Sequence, residues 1–298
     1  MLKFLNSKDG FLHLPDVDAC APKNARAVMI PFGLEASVSY EGGTAKGPQA
    51  ILDASPELEY FDEVFWRECF KDYGIATLRE PKIETELPNA LNQLEAIVEE
   101  VLKLDKFPLI MGGEHSLTAG AIRPFVRRHE QLTILQFDAH ADLRDGYEGE
   151  HYSHAAAMRR CLDHDNVRLV SVGIRNISAE EIPFLESDSN RIDIFWMKDK
   201  KTWNANDIAN IVGDGPVYIT FDIDGFDSAM IPATGTPEPG GLNWWDVMET
   251  LDLVSQRANI VGADVVELAP RAGLHACDFM AAKLCYKIMS YALRRYFD

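Results

Sequence analysis

Eight short apolar runs recur along the chain, and segments with helical spacing lie between most of them. The runs fall at 27–32, 73–78, 108–112, 133–138, 167–173, 192–196, 217–222 and 260–266. They are nearly continuous in apolar character rather than alternating, so as strands they need cover on both faces. A parallel sheet with helices packed on either side meets that need, and strand–helix alternation is its usual sequence signature. Helices are expected at 90–104, 116–130, 154–163, 178–186, 243–257 and 278–296. In the first of these, Leu91, Leu94, Ile97, Val98, Val101 and Leu102 recur at helical spacing. No linker, repeat or low-complexity stretch interrupts the pattern, so residues 1–298 read as one α/β domain.

Charge and cysteine usage narrow the function classes. The formal net charge of −18 argues against nucleic-acid or anionic-membrane partners, and is compatible with a cationic one. Five cysteines without a CxxC spacing read as reduced thiols in a cytoplasmic protein. The N-terminal segment lacks the apolar stretch of a signal peptide, and no run is long enough to suggest a membrane span.

The polar residues that break the pattern cluster just past four of the strands. Gly113-Glu114-His115-Ser116 follows the third, Asp138-Ala139-His140-Ala141-Asp142 the fourth, Asp222-Ile223-Asp224 the seventh, and the eighth runs through Asp264 to Glu267. In open parallel sheets ligands bind beyond the carboxyl ends of the strands. On an extended strand residues i and i+2 share a side, so Asp138 and His140 can face one centre, as can Asp222 and Asp224. Asp142 can join them if the chain turns after its strand. Five carboxylates beside two imidazoles repel one another unless a cation sits between them, and Arg144 is the nearest cation in sequence. Six ligands exceed the usual three of a catalytic zinc site. An oxygen-rich set containing histidine suits two Mn²⁺ ions per chain, with two carboxylates bridging.

These motifs resemble those of the ureohydrolase family, which holds arginases, agmatinases and their relatives. The resemblance is carried by SYEGGTAKGP at 39–48, GGEHS at 112–116, DAHAD at 138–142, FDIDGFDSAMIPATGTPEPGG at 221–241 and DVVELAP at 264–270. It implies a three-layer αβα fold around an eight-stranded, mostly parallel sheet, a binuclear Mn²⁺ centre, and assembly as a homotrimer or homohexamer. It also implies that His115, Asp138, Asp142 and Asp222 bind one ion, and that Asp138, His140, Asp222 and Asp224 bind the other. Two positions depart from the usual pattern: Ala155, where many relatives have Gly, and Ser228, where Pro is usual.

The expected chemistry is hydrolysis of a small guanidino compound. Guanidinium is a poor electrophile, and bound metal lowers the pKa of water from about 15.7 to about 7, which makes a nucleophile available. Glu267 could hold the planar cation by a bidentate contact. Asp142 would stabilise the tetrahedral intermediate and its proton, and a histidine must protonate the leaving amine. The resemblance selects His154 for that role, with His151 as competitor, and places Thr236 near the substrate. Arginases resemble one another in an acidic residue at the position of Ser178, where it helps hold the α-ammonium. The neutral Ser178 therefore points to agmatine, cleaved to putrescine and urea. Arg144 could attract a carboxylate and keeps guanidinobutyrate as runner-up. Guanidinopropionate, free guanidine, formiminoglutamate and arginine remain open, as do an inactive regulatory relative and a one-zinc deacetylase.

Overall fold

In the computed structural model, which describes residues 2–15 and 18–297, the apolar runs form a single sheet. Residues 1, 16, 17 and 298, included in the single-domain reading, lie outside that description. The strands are β1 (Ala27–Phe32), β2 (Ile75–Thr77), β3 (Phe107–Gly112), β4 (Leu132–Phe137), β5 (Val167–Val172), β6 (Ile192–Phe195), β7 (Pro216–Asp222) and β8 (Asn259–Val266). Their order across the sheet is β2-β1-β3-β8-β7-β4-β5-β6, and every pairing is parallel rather than mostly so.

The period-2 alternation of a strand divides the core into two layers. On β1, Ala27 and Met29 face one layer with helix His275–Ala292, while Val28, Ile30 and Phe32 face the other with helix Leu87–Lys103. All six residues of β1, of β3 and of β4 are buried, as strands covered on both faces must be. The result is the three-layer αβα arrangement.

Several elements differ from expectation for local reasons. The segment 116–130 is not one helix. It breaks into a 3₁₀ turn (His115–Leu117) and two short helices, Thr118–Ala121 and Arg123–Val126. Pro124 has no N–H to continue the ladder. Tyr73 ends a helical turn, and Gly74 at φ 63° separates it from β2, so that strand is shorter than 73–78. The segment 178–186 becomes helical only at Ile182–Ser187. The Ser178 N–H is taken by the Glu181 carboxylate (2.6 Å). The helix Ala205–Val212 was not anticipated, although Asn204 and Asp207 form a capping box that the Asn-x-x-Asp spacing signals.

The four strands whose ends carry the unusual polar residues are neighbours, in the order β3-β8-β7-β4, at the centre of the sheet. Topology thus gathers residues 115, 138, 222 and 267 at one edge, although up to 152 positions separate them in sequence.

Candidate metal centre and active site

Each strand end delivers its side chains by a different local device. At β4, Phe137 pairs with Phe221 of β7, which sets Asp138 beside Asp222. The chain then turns sharply: Asp142 adopts φ 53°, the left-handed region that non-glycine residues rarely occupy. That turn is what brings Asp142 back under the strand end. At β7, the Asp222 carboxylate accepts the Asp224 N–H (2.9 Å), fixing the DID turn. At β8, Glu267 also lies in the left-handed region (φ 65°), and its Oε1 accepts the His115 N–H at 2.7 Å. Two glycines end β3. A Cβ on Gly113 would lie 1.9 Å from the Leu34 carbonyl oxygen, so only glycine allows the loop after β1 to pass so close.

The side chains converge in two groups that could each hold a cation: His115, Asp138 and Asp142, and Asp138, His140 and Asp224. Asp138 belongs to both. Asp222 is outside these tighter groups, with Oδ2 3.4 Å from His115 Nδ1. His115 Nδ1 is also 3.1 Å from Asp138 and 3.1 Å from Asp142. His140 Nδ1 lies 3.0 Å from Asp224.

The tautomer of His115 tests whether this set suits a metal. Thr220 Oγ1 donates its single proton to Asp264 Oδ1 (2.7 Å) and sits 2.8 Å from His115 Nε2. It can therefore only accept from that nitrogen, so Nε2 carries a proton and Nδ1 is the ring position left for a cation or a second proton. Nδ1 is buried without a hydrogen-bond partner and faces three carboxylates. A divalent cation there would be the common partner of that nitrogen and the carboxylates, and without one a proton takes its place. The residues fit a metal.

The titration of the group tells the same story. Burial opposes charge on His115 and on His140, yet the neighbouring carboxylates raise both well above the ordinary histidine range. Burial and the charge of Asp138 raise Asp142 to about 6, and burial with Asp224 and Asp138 raises Asp222 well above its ordinary value. Burial and Glu114 raise Glu267 to about 8. Such a cluster binds protons because it lacks a better cation.

Above it lies a cavity of about 190 Å³ lined by His115, His140, Asp142, Asp222 and Asp224 together with Glu267, His154, Thr236, Ser178 and Arg144, with Asp138 buried behind them. Most of the residues singled out in sequence therefore meet in one place. His151 does not line the cavity and hydrogen-bonds to Arg160 instead, so of the two competing histidines His154 faces the site. The glycine-rich segment at 39–48 contributes Ser39, Tyr40 and Glu41 to the cavity wall. Glu35 folds it by accepting the N–H groups of Gly43 (2.8 Å) and Ala45 (2.9 Å). Arg175 is structural: its guanidinium donates to the carbonyls of Asp224 and Glu238. Asp227 accepts the N–H groups of Ala229, Gly240 and Gly241, which closes the loop around Ser228 without the usual proline. All five cysteines are free and buried.

A family model described as the arginase family matches residues 25–290. The chain belongs to the arginase family. It is 36% identical to N(1)-aminopropylagmatine ureohydrolase of Synechocystis, over 97% of this chain and 95% of that one. It is 29% identical to the agmatinase of Pyrococcus horikoshii, over 95% of this chain and 96% of that one. Among solved structures, agmatine ureohydrolase of Thermoplasma volcanium superposes with a TM-score of 0.82 at 29% identity, covering 92% of each chain. The protein is thus a ureohydrolase, an enzyme that acts on guanidino C–N bonds.

Sequence reasoning missed four supporting groups. Asp264 is no ligand: it is fully buried and accepts from Thr118, Tyr218 and Thr220. Glu114 is fully buried and holds the loop after β1 through Ala36 and Ser37. Glu181 lines the cavity with 4% exposure. Thr220 could have been found from its position two residues before Asp222, on the same side of β7. The other three are set by tertiary contacts.

Proposed function

We propose that the enzyme hydrolyses agmatine, or a guanidine with a similar cationic tail, to urea and an amine, using two Mn²⁺ ions per chain. The observation that supports it best is the pair of His/Asp groups sharing Asp138 beneath Glu267 in one cavity. Divalent ions bound there would supply the Lewis acidity that makes water a nucleophile near neutral pH. His115, Asp138, Asp142 and Asp222 would hold one, and Asp138, His140, Asp222 and Asp224 the other. The remaining steps belong to the chain's own side chains. Glu267, fixed by the His115 N–H, would seat the guanidinium. Asp142 would stabilise the proton and charge of the tetrahedral carbon. His154 would deliver a proton to the nitrogen that leaves as an amine.

The far end of the cavity supports a cationic tail over an amino-acid one. Ser178 Oγ is buried without a partner, and beside it the buried Glu181 carboxylate supplies negative charge. Arg144 has its charge balanced by Glu180 (2.7 Å) and its guanidinium over the Tyr147 ring, which leaves it less free to recruit a carboxylate tail. The second reading, N(1)-aminopropylagmatine, is favoured by the 36% identical relative and by the exposed Tyr40 and Glu41 at the entrance, where a longer polyamine tail would emerge. Thr236 would line the path of either. A homotrimer or homohexamer completes the reading, and the free thiols support a reducing, cytoplasmic setting. Urea release by the Mn²⁺-loaded protein tests it, with agmatine, aminopropylagmatine, guanidinobutyrate and arginine side by side. A preference for guanidinobutyrate or arginine would overturn the assignment of the tail.

A further inference from the structure

We infer that Glu114, acting through the hydroxyl of Ser37, fixes His154 as the tautomer with its proton on Nδ1 and leaves Nε2 as the atom that exchanges protons. The inference rests on His154 being the proton carrier proposed above, and it concerns residues to which that reading gives no part.

The argument is a count of protons. Glu114 is fully buried, and four donors converge on its two oxygens. The N–H groups of Ala36 (2.5 Å) and Ser37 (2.7 Å) donate to Oε2, and the hydroxyls of Ser37 (2.7 Å) and Ser116 (2.6 Å) donate to Oε1. A carboxylate so surrounded is an acceptor only, so the single Ser37 hydroxyl proton points at Glu114. The Ser37 oxygen is left with two acceptor positions. One receives the backbone N–H of His154 at 3.0 Å, and the other faces His154 Nδ1 at 3.3 Å. With no proton left to give, Ser37 can only accept there, so a hydrogen bond between them requires a proton on Nδ1. Ser153 Oγ lies farther from the same nitrogen, at 3.4 Å. The opposite nitrogen, Nε2, is 2.7 Å from Ser39 Oγ. That hydroxyl can donate to neutral Nε2 and, by rotating, accept from it once it is protonated. Ser39 and His154 both line the cavity, so the exchanging nitrogen sits on the substrate side.

The arrangement is the orienting logic of a carboxylate behind a catalytic histidine, with a serine hydroxyl inserted between them. It also gives the GGEHS segment two tasks. His115 points to the cation groups, while Glu114, on the preceding residue, grips the loop that holds the proton carrier. Glu114 and Ser37 are therefore positioning residues.

The test compares Ser37→Ala, Ser37→Thr and His154→Asn with the wild type in the full-length, metal-loaded enzyme. Ser37→Ala is expected to lower kcat at least about 10-fold, because the ring can now adopt the wrong tautomer, as when an orienting carboxylate is lost. Its KM and its metal content by elemental analysis stay within about twofold of wild type, as expected when an interaction acts only in the chemical step. Ser37→Thr, which keeps the hydroxyl, restores kcat. A second readout does not depend on turnover. In protein ¹⁵N-labelled at histidine and loaded with diamagnetic Mg²⁺, the ring nitrogens of His154, assigned by their loss in His154→Asn, should show Nδ1 protonated in the wild type. In Ser37→Ala they should shift toward a mixture. Wild-type Nδ1 found unprotonated overturns the inference, whether or not a guanidine substrate is turned over. So does a full loss of kcat in His154→Asn with none in Ser37→Ala. Full activity in His154→Asn removes His154 as carrier and so overturns the reading beneath it, while the nitrogen spectrum still reports separately on the tautomer.

Discussion

Replacing Thr220 with valine keeps the side chain's shape and deletes one oxygen, and that oxygen decides which nitrogen of His115 is free. In the native site Thr220 accepts from His115 Nε2 at 2.8 Å and donates to Asp264 at 2.7 Å. His115 is 1% exposed, so no water replaces the lost acceptor. The variant has two ways to respond. If the ring keeps its tautomer, a buried N–H goes unsatisfied, at a cost of about 1–3 kcal/mol. If the proton moves to Nδ1, the atom that must bind the cation is blocked. Both routes weaken metal binding, and loss of such an outer partner typically lowers affinity about 10–100-fold. That factor corresponds to about 1.4–2.8 kcal/mol, within the range of the unsatisfied donor. Asp264 keeps Thr118 (2.9 Å) and Tyr218 (2.8 Å), so the fold should persist. Mn²⁺ titration of the metal-free protein by calorimetry gives the affinity, and a parallel melt of the metal-free protein gives the stability. A variant with a lower melting temperature but Mn²⁺ affinity within about twofold of wild type would refute the reasoning, because Thr220 would then be only a packing residue.

Asp222→Asn should lose metal and activity together, with fewer than two ions per chain by elemental analysis; a fully active protein carrying a single ion would sink the two-ion reading. His154→Asn should retain metal and lose about 10²–10⁴-fold in kcat, whereas His151→Asn, away from the cavity, should do much less. The reverse ranking would show that the wrong histidine was chosen. The metal-free protein should become less stable as pH rises from about 5 to 8. Asp142 and Glu267 are raised to about 6 and about 8, so the folded state holds protons that the unfolded chain has released. The raised His115 and His140 act in the same direction, while Asp138, which is lowered, acts only in more acidic solution. Each such proton contributes a slope of about −1.4 kcal/mol per pH unit. Melting temperatures in chelator that rise over this window would contradict the electrostatic account. For the substrate, kcat/KM for agmatine should exceed that for arginine by at least about 100-fold, or about 2.7 kcal/mol in transition-state binding. Comparable rates on arginine would refute the weight placed on Ser178.

What the sequence revealed and what it concealed divide along a physical line. The candidate ligands were legible because a strand imposes a fixed period. Asp138 with His140, and Asp222 with Asp224, carry their shared direction in their spacing, and the strand ends that bear them are neighbours in the sheet. The fold class was legible for the same reason, since continuous apolar runs admit few arrangements. Where a single residue overrides the period, the reading failed: Pro124 broke an expected helix. The groups behind the site left no periodic trace at all. Asp264 looked like one more strand-end acid, yet it lies beneath the ligands with its oxygens turned to Tyr218, Thr220 and Thr118. Glu114 bonds to residues 77 and 78 positions away, through a passage that exists only because residue 113 has no side chain. A ligand is chosen by what it must face, and local geometry records that. A residue that orients a ligand is chosen by what passes behind it, and only the folded chain records that. The two buried acids share one logic, each holding a hydroxyl whose remaining lone pair receives one ring nitrogen of a histidine. On the proposed reading, Asp264 thereby leaves free the nitrogen of His115 that would meet the cation, and Glu114 the nitrogen of His154 that would meet the substrate. The chemistry of the site thus depends on two protons whose positions are set by residues that touch neither metal nor substrate.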